Sequence, residues 1–208
     1  MSYKEFIEAE KKYYKQNFSC MDTLLKRIRN ALINNVTVKL TRIKFDGVWD
    51  FNPKVSFTYI TLFQAGKKPL RYGSRRNNIA DTVNRCLEKI RENNRFLEFD
   101  IEDYDKCRIL LEFVTDKKLT DLRHLQSTKM DDDRFEIGIN GIELKNVFTD
   151  IPLFYMPTDA IVNSQLSLNQ ALITLIKKTP IGKITDYNPD RIKLLAQSDE
   201  YEMYLFKT

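Results

Sequence analysis

From about Asn78 to Asn93 the apolar residues Ile79, Val83, Cys86, Leu87 and Ile90 recur at helical spacing, with polar residues filling most other positions. That period commits the stretch to an amphipathic helix with one face to bury. A second stripe, Leu24, Leu25, Ile28, Ala31 and Leu32, predicts a helix over 22–33, with Asp22 as its N-cap or first-turn acid. A third, Leu166, Leu168, Ala171, Leu172, Leu175 and Ile176, predicts one over 164–178. Ser164 or Ser167 would cap its start, and Pro180 and Gly182 follow its end. Residues 3–17 mix charge with Tyr3, Phe6, Tyr13 and Tyr14 in a helix-like pattern.

Elsewhere the period drops to two, the spacing of a half-buried strand. Val36, Val38 and Leu40 alternate with polar residues, as do Ile43 and Phe45 after a shift, before a turn at Asp46-Gly47. Val55, Phe57, Tyr59, Thr61 and Phe63 alternate until Ala65 to Pro69 breaks the run. Residues 108–114 read as a strand whose apolar run implies an interior position. Residues 135–144 read as a strand interrupted at Gly138 and Gly141, residues 151–157 as a short strand fenced by prolines, and 201–206 as a closing strand. Strands and helices are interspersed without strict βαβ order. The expected fold is therefore α+β, a mostly antiparallel sheet flanked by helices. With 208 residues, 42% of them hydrophobic, one core suffices. The expected organisation is a helical extension over 1–20 and one domain over 21–208. The polar stretch 117–133 is the only linker candidate, and its terminal Asp131-Asp132-Asp133 reads as a solvated turn rather than a calcium loop.

Several function classes drop out. No apolar run approaches the ~20 residues of a membrane helix, and the first residues carry no signal-peptide core, so a cytoplasmic protein with no membrane role is expected. The single histidine, His124, sits in a polar connector and rules out any site needing two. Cys20, Cys86 and Cys107 are too few and too widely spaced for a disulfide framework or a zinc pattern; Cys86 and Cys107 read as buried thiols. No P-loop, dinucleotide glycine fingerprint or nucleophile elbow is present. No metal or cofactor is expected.

The residues that invite a function lie just before the 78–93 helix. Lys67, Lys68, Arg71, Arg75 and Arg76 put five cations into twelve residues, with Gly73 among them. A basic, glycine-containing loop leading into a helix N-terminus suits an anion. Arg71, Tyr72, Ser74, Arg75, Arg76 and Asn78 form the candidate ligand set: arginines for phosphates, Tyr72 to stack on a base, Ser74 and Asn78 to hydrogen-bond. Charge points the same way. Residues 1–95 hold 20 Lys and Arg against 9 Asp and Glu, whereas residues 96–208 hold 14 against 20. The alternative is that the two halves neutralise one another, with the arginines paired to acids of the second.

The order of motifs resembles the AMMECR domain family. In that family a strand runs into L-R-G-C-I-G, then a helix, an R-F pair, an acidic segment, a strand, a G-x-H-G turn, an L-x-L-P strand and a last helix. Here Tyr59 to Phe63 leads to Leu70-Arg71, the 78–93 helix, Arg95-Phe96, residues 108–114, Gly138-Ile139-Asn140-Gly141, Leu153 to Pro157 and the 164–178 helix. The match spans roughly 170 residues in order. Gly73 and Ser74 stand near the place of the family's cysteine, and Asn140 holds that of its histidine. The resemblance implies an α+β domain with a ligand cleft near Arg95 and Asn140. It also implies Memo-type or radical-SAM-type partner proteins.

Three functional expectations follow. The first is a non-catalytic module binding nucleic acid or a small anionic ligand through the basic loop. The second is an interaction scaffold that works through a protein partner. The third is an enzyme or enzyme subunit using Glu98, Asp100, Glu102 or Asp103 as acid and base. The first is preferred.

Overall fold

The computed structural model describes residues 21–39, 57–76, 78–126, 135–165, 167–179 and 198–208. The architecture is α+β, with two antiparallel sheets carrying helices. It divides into two compact units, Met1–Phe113 and Val114–Thr208. The expected helix over 3–17, the turn at Asp46-Gly47 and the acid run 131–133 lie outside the described residues, as does Cys20.

In the first unit, helix α1 (21–34) is followed by strands β1 (Thr58–Gln64) and β2 (Leu70–Ser74), helix α2 (Ile79–Arg91), a 3-10 turn (Asn94–Glu98) and strand β3 (Cys107–Phe113). The sheet order is β2-β1-β3. Among the described strands β3 pairs with β1 alone, so the strand expected inside the sheet flanks it. The pairing Ile60↔Tyr72 and Ile60↔Leu111, with Leu62↔Leu70 and Leu62↔Ile109, puts these residues on one face. There they meet Leu24, Ile28, Ala31 and Leu32 of α1 and Val83, Cys86, Leu87 and Ile90 of α2, the stripes that the sequence period identified. The phase of β1 is the reverse of the one expected. Ile60 and Leu62 enter the core, and Tyr59, Thr61 and Phe63 take the other face.

Two polar side chains tie α1 and the chain after it to this core. Buried Arg29 donates from Nη2 to the Cys107 carbonyl at 2.7 Å and from Nη1 to that of Ile101, with its guanidinium 4.0 Å above the Tyr104 ring. Asn84 of α2 accepts from Val38 N–H at 2.7 Å and donates to the Val38 carbonyl at 3.1 Å. Residues 36–39 are not in a strand, contrary to expectation. The amide of Asn84 supplies the donor and acceptor that a neighbouring strand would have supplied. The rest of that expected strand, from Leu40 onward, lies outside the described residues.

In the second unit come β4 (Thr115–Thr120), α3 (Leu122–Leu125), β5 (Asn140–Asn146), β6 (Pro152–Tyr155), α4 (Pro157–Val162), α5 (Leu168–Lys177) and β7 (Tyr201–Lys207). The sheet order is β4-β7-β5-β6. Ile142, Leu144, Tyr155, Met203 and Leu205 pack with Ala171, Leu172, Leu175 and Ile176 of α5. Ser167, rather than Ser164, caps α5 by accepting from Gln170 N–H at 3.3 Å. The strand expected from residue 135 starts at Asn140. A turn over 137–139 precedes it, with Gly138 at φ +81°, a backbone state that side chains resist. On the second face of the sheet, Glu143 is buried and pairs with Lys117 at 2.7 Å, while the Lys117 ammonium lies 3.9 Å from the Tyr204 ring centroid.

Candidate anion-binding surface of the first unit

The basic stretch is a strand and its two flanks, not a loop. Because β2 alternates, Leu70 and Tyr72 turn toward the helices and Arg71 and Gly73 turn to the opposite face. Arg71 reaches across β1 to Glu112 of β3, with Nη2 and Oε2 2.8 Å apart and side chains only 16% and 5% exposed. Its guanidinium lies 4.8 Å from the Tyr59 ring centroid. Gly73 sits opposite Tyr59; a Cβ there would stand 2.3 Å from the ring, so only glycine leaves room for it. Arg71 therefore completes a partly desolvated charge pair within its own unit. That pairing realises the neutralising alternative, since Glu112 belongs to the acidic half of the sequence.

The other candidates divide into held and exposed groups. Tyr72 packs against the core and its hydroxyl accepts from Asn93 Nδ2 at 2.8 Å, so its ring is partly covered. Ser74 ends β2 opposite Thr58. Arg75 and Arg76 are exposed. The Arg76 N–H donates to Thr82 Oγ1 at 3.0 Å, and that hydroxyl donates to the Asn78 carbonyl at 2.8 Å, fixing the approach to α2. Asn78 caps the helix by accepting from Asp81 N–H at 2.9 Å, and its Nδ2 donates to the Asp81 carboxylate at 2.6 Å. The first turn of α2 thus carries its own cap and its own negative charge, which together occupy the end where an anion was expected.

Lys67 and Lys68 lie beyond the other end of β2. Lys67 approaches the Phe99 ring, 5.8 Å from its centroid, and the Lys68 carbonyl accepts from the Arg95 guanidinium. Arg95 also donates its backbone N–H to Asn93 Oδ1 at 2.9 Å. Asn140 belongs to the second unit, is 4% exposed and accepts from Glu136 N–H at 2.9 Å, closing the turn before β5. Each of these two residues has a local structural task.

The chemistry on offer is limited. Burial pushes the Cys86 thiol up to about 12 and raises that of Cys107, so neither is poised as a thiolate. Among the acids, Asp100 exchanges hydrogen bonds with Gln64 at 2.9 Å, and Asp103 accepts from the N–H groups of Asp105 and Lys106. The latter bonds hold the Asp103 carboxyl below its ordinary range. His124 is exposed on α3 and faces Asp121 at 3.0 Å. Among the described residues no cluster of three His, Cys, Asp or Glu could hold a metal ion, and no helix is long and apolar enough to cross a membrane.

A further feature of this unit has no expectation from the sequence behind it. Thr23, Lys26, Arg27 and Asn30 of α1 face residues 36–39 across a groove of about 550 Å³. The signal was a polar stripe at helical spacing, the complement of the apolar one, but nothing in the sequence placed Lys39 opposite it. No model of a known protein family and no curated protein sequence matches this chain.

Proposed function

We propose that this chain is a non-catalytic binding protein that engages a polyanion, nucleic acid first, through the cationic surface of its first unit. The observation that carries this reading is the exposure of Arg75 and Arg76 at the approach to α2, once Arg71 has been folded into its pair with Glu112. Guanidinium groups held on a short, hydrogen-bonded connection suit bidentate phosphate contact. Net charge supports it. The first unit holds 22 Lys and Arg against 15 Asp and Glu, a net of +7, and the second 12 against 14. The site is thus narrower than the stretch from Arg71 to Asn78, and it lies beside the α2 N-terminus rather than on it.

Fluorescence anisotropy with labelled single- and double-stranded oligonucleotides at low and physiological salt tests this. Binding should weaken steeply with salt and fall at least tenfold in an Arg75→Ala/Arg76→Ala variant. Arg71 is left intact, because its loss would perturb the fold. Absence of binding by the wild type at low salt ends the nucleic-acid reading.

The scaffold alternative has one observation in its favour: Val147, Phe148 and Ile151, in and beside the β5–β6 turn, are exposed, Phe148 at 78%. Under the preferred reading Phe148→Ser leaves oligonucleotide affinity unchanged. An AMMECR-type relationship, with a Memo-type or radical-SAM-type partner, is a further proposal supported by motif order.

A further inference from the structure

We propose that Thr82 is the positioning residue for Arg75 and Arg76, setting their geometry without touching the ligand; this role rests on the polyanion reading of those two arginines. Thr82 lies one turn into α2 and is 1% exposed, so a bound polymer does not reach it. Its hydroxyl is nevertheless used twice. Oγ1 donates to the Asn78 carbonyl at 2.8 Å and accepts from the Arg76 N–H at 3.0 Å. Each partner fixes the other's role. A carbonyl can only accept, so the hydroxyl proton points to Asn78 and a lone pair is left for the Arg76 amide. The same carbonyl accepts from the Thr82 N–H at 3.1 Å, so Thr82 is gripped through backbone and side chain together.

The tether closes a circuit through the core of the first unit. Arg75 and Arg76 follow Ser74, which ends β2 opposite Thr58 of β1. The Thr58 carbonyl accepts from Cys86 Sγ at 3.5 Å. Cys86 stands four residues after Thr82, on the same face of α2, and both are buried. Strand end, helix and connection are therefore held to one another at Ser74, at Asn78 and, through Thr82, at Arg76 itself. The helix at the far end of the tether is rigidly seated, with Val83, Leu87 and Ile90 fully buried among the residues of the sheet and α1. A backbone fixed at this point confines where the two exposed guanidinium groups can go before a ligand arrives, so less freedom is lost on binding. Valine at position 82 would fill nearly the same space and make neither hydroxyl bond, whereas serine would keep both.

The test pairs oligonucleotide binding with hydrogen exchange, both on the full chain. Anisotropy of a labelled single-stranded oligonucleotide at low salt should show Thr82→Val weakening binding about fivefold, with Thr82→Ser close to the wild type. In the Arg75→Ala/Arg76→Ala background Thr82→Val should leave the residual affinity unchanged, the non-additivity expected of a residue that acts through those arginines. The Arg76 amide should exchange slowly in the free wild type and faster in Thr82→Val, while the Leu87 and Ile90 amides stay protected in both and so report an intact fold. An Arg76 amide that exchanges at the open-chain rate in the free wild type overturns the tether without recourse to any variant. Wild-type affinity in Thr82→Val, or an equal loss with and without the two arginines, overturns the positioning role and leaves the polyanion reading standing. A wild type that binds no oligonucleotide ends both.

Discussion

Arg71 shows how a residue chosen for ligand binding can be used up by its own fold. Its partner Glu112 is 5% exposed, and removing one member of such a pair leaves the other charge in a poor solvent. Arg71→Ala should therefore cost about 3 kcal/mol of stability, and Arg71→Met with Glu112→Leu together should cost less than either single truncation. Urea unfolding monitored on the first unit measures both; a loss under about 0.5 kcal/mol for Arg71→Ala would remove the pair from the account. Cys86 gives a second residue-scale prediction. Its thiol sits near 9 when unfolded and is pushed up to about 12 by burial. The unfolded state therefore releases a proton first as pH rises. Stability from this group is intact below about pH 9 and declines from there toward 12. Tyr155, raised by burial and by Asp159 to about 12, acts in the same direction. In the native protein at pH 8 a thiol reagent should leave Cys86 and Cys107 unmodified, whereas rapid modification of the folded chain would contradict their burial.

At the scale of elements, legibility followed side-chain period and failed where partners are distant in sequence. Helix α2 was expected over 78–93 and spans Ile79–Arg91 because the apolar stripe and the Asn78 cap are both local signals. The phase of β1 departs from expectation because Phe57, Tyr59 and Phe63 are the larger apolar residues, yet Tyr59 is needed beside Arg71 and Gly73. Strand β4, with exposed Lys117, Lys118 and Leu119, has no apolar alternation to reveal it, and it exists through pairing with β7. Strand β2, expected as a loop, is another such case: its pairing with β1, not its composition, makes it a strand. The candidate site was half legible. The cations were visible, but which face of a strand each would take depended on that unseen pairing. Two predictions belong here. Gly73→Ala should destabilise the first unit by roughly 1–3 kcal/mol by displacing the Tyr59 ring, measured by thermal or urea unfolding. Asn84→Ala removes the partner of both Val38 backbone groups and should cost about 1–3 kcal/mol. Hydrogen exchange at the Val38 amide should accelerate with it, and unchanged exchange would show that Asn84 does not hold this segment.

At the scale of the molecule, two units of different charge divide the chain, and the basic one carries every cation named in the proposals. Electrostatic binding of this kind is read most directly from its salt dependence. Each phosphate neutralised on a single strand contributes about 0.7 to the slope of log affinity against log salt. The decisive measurement is that slope for a labelled single-stranded oligonucleotide, taken for the wild type and for Arg75→Ala/Arg76→Ala. A negative slope for the wild type that becomes shallower by about 1.4 in the variant is the predicted result. A slope unchanged by the two substitutions would contradict the assignment of polyanion binding to the approach to α2.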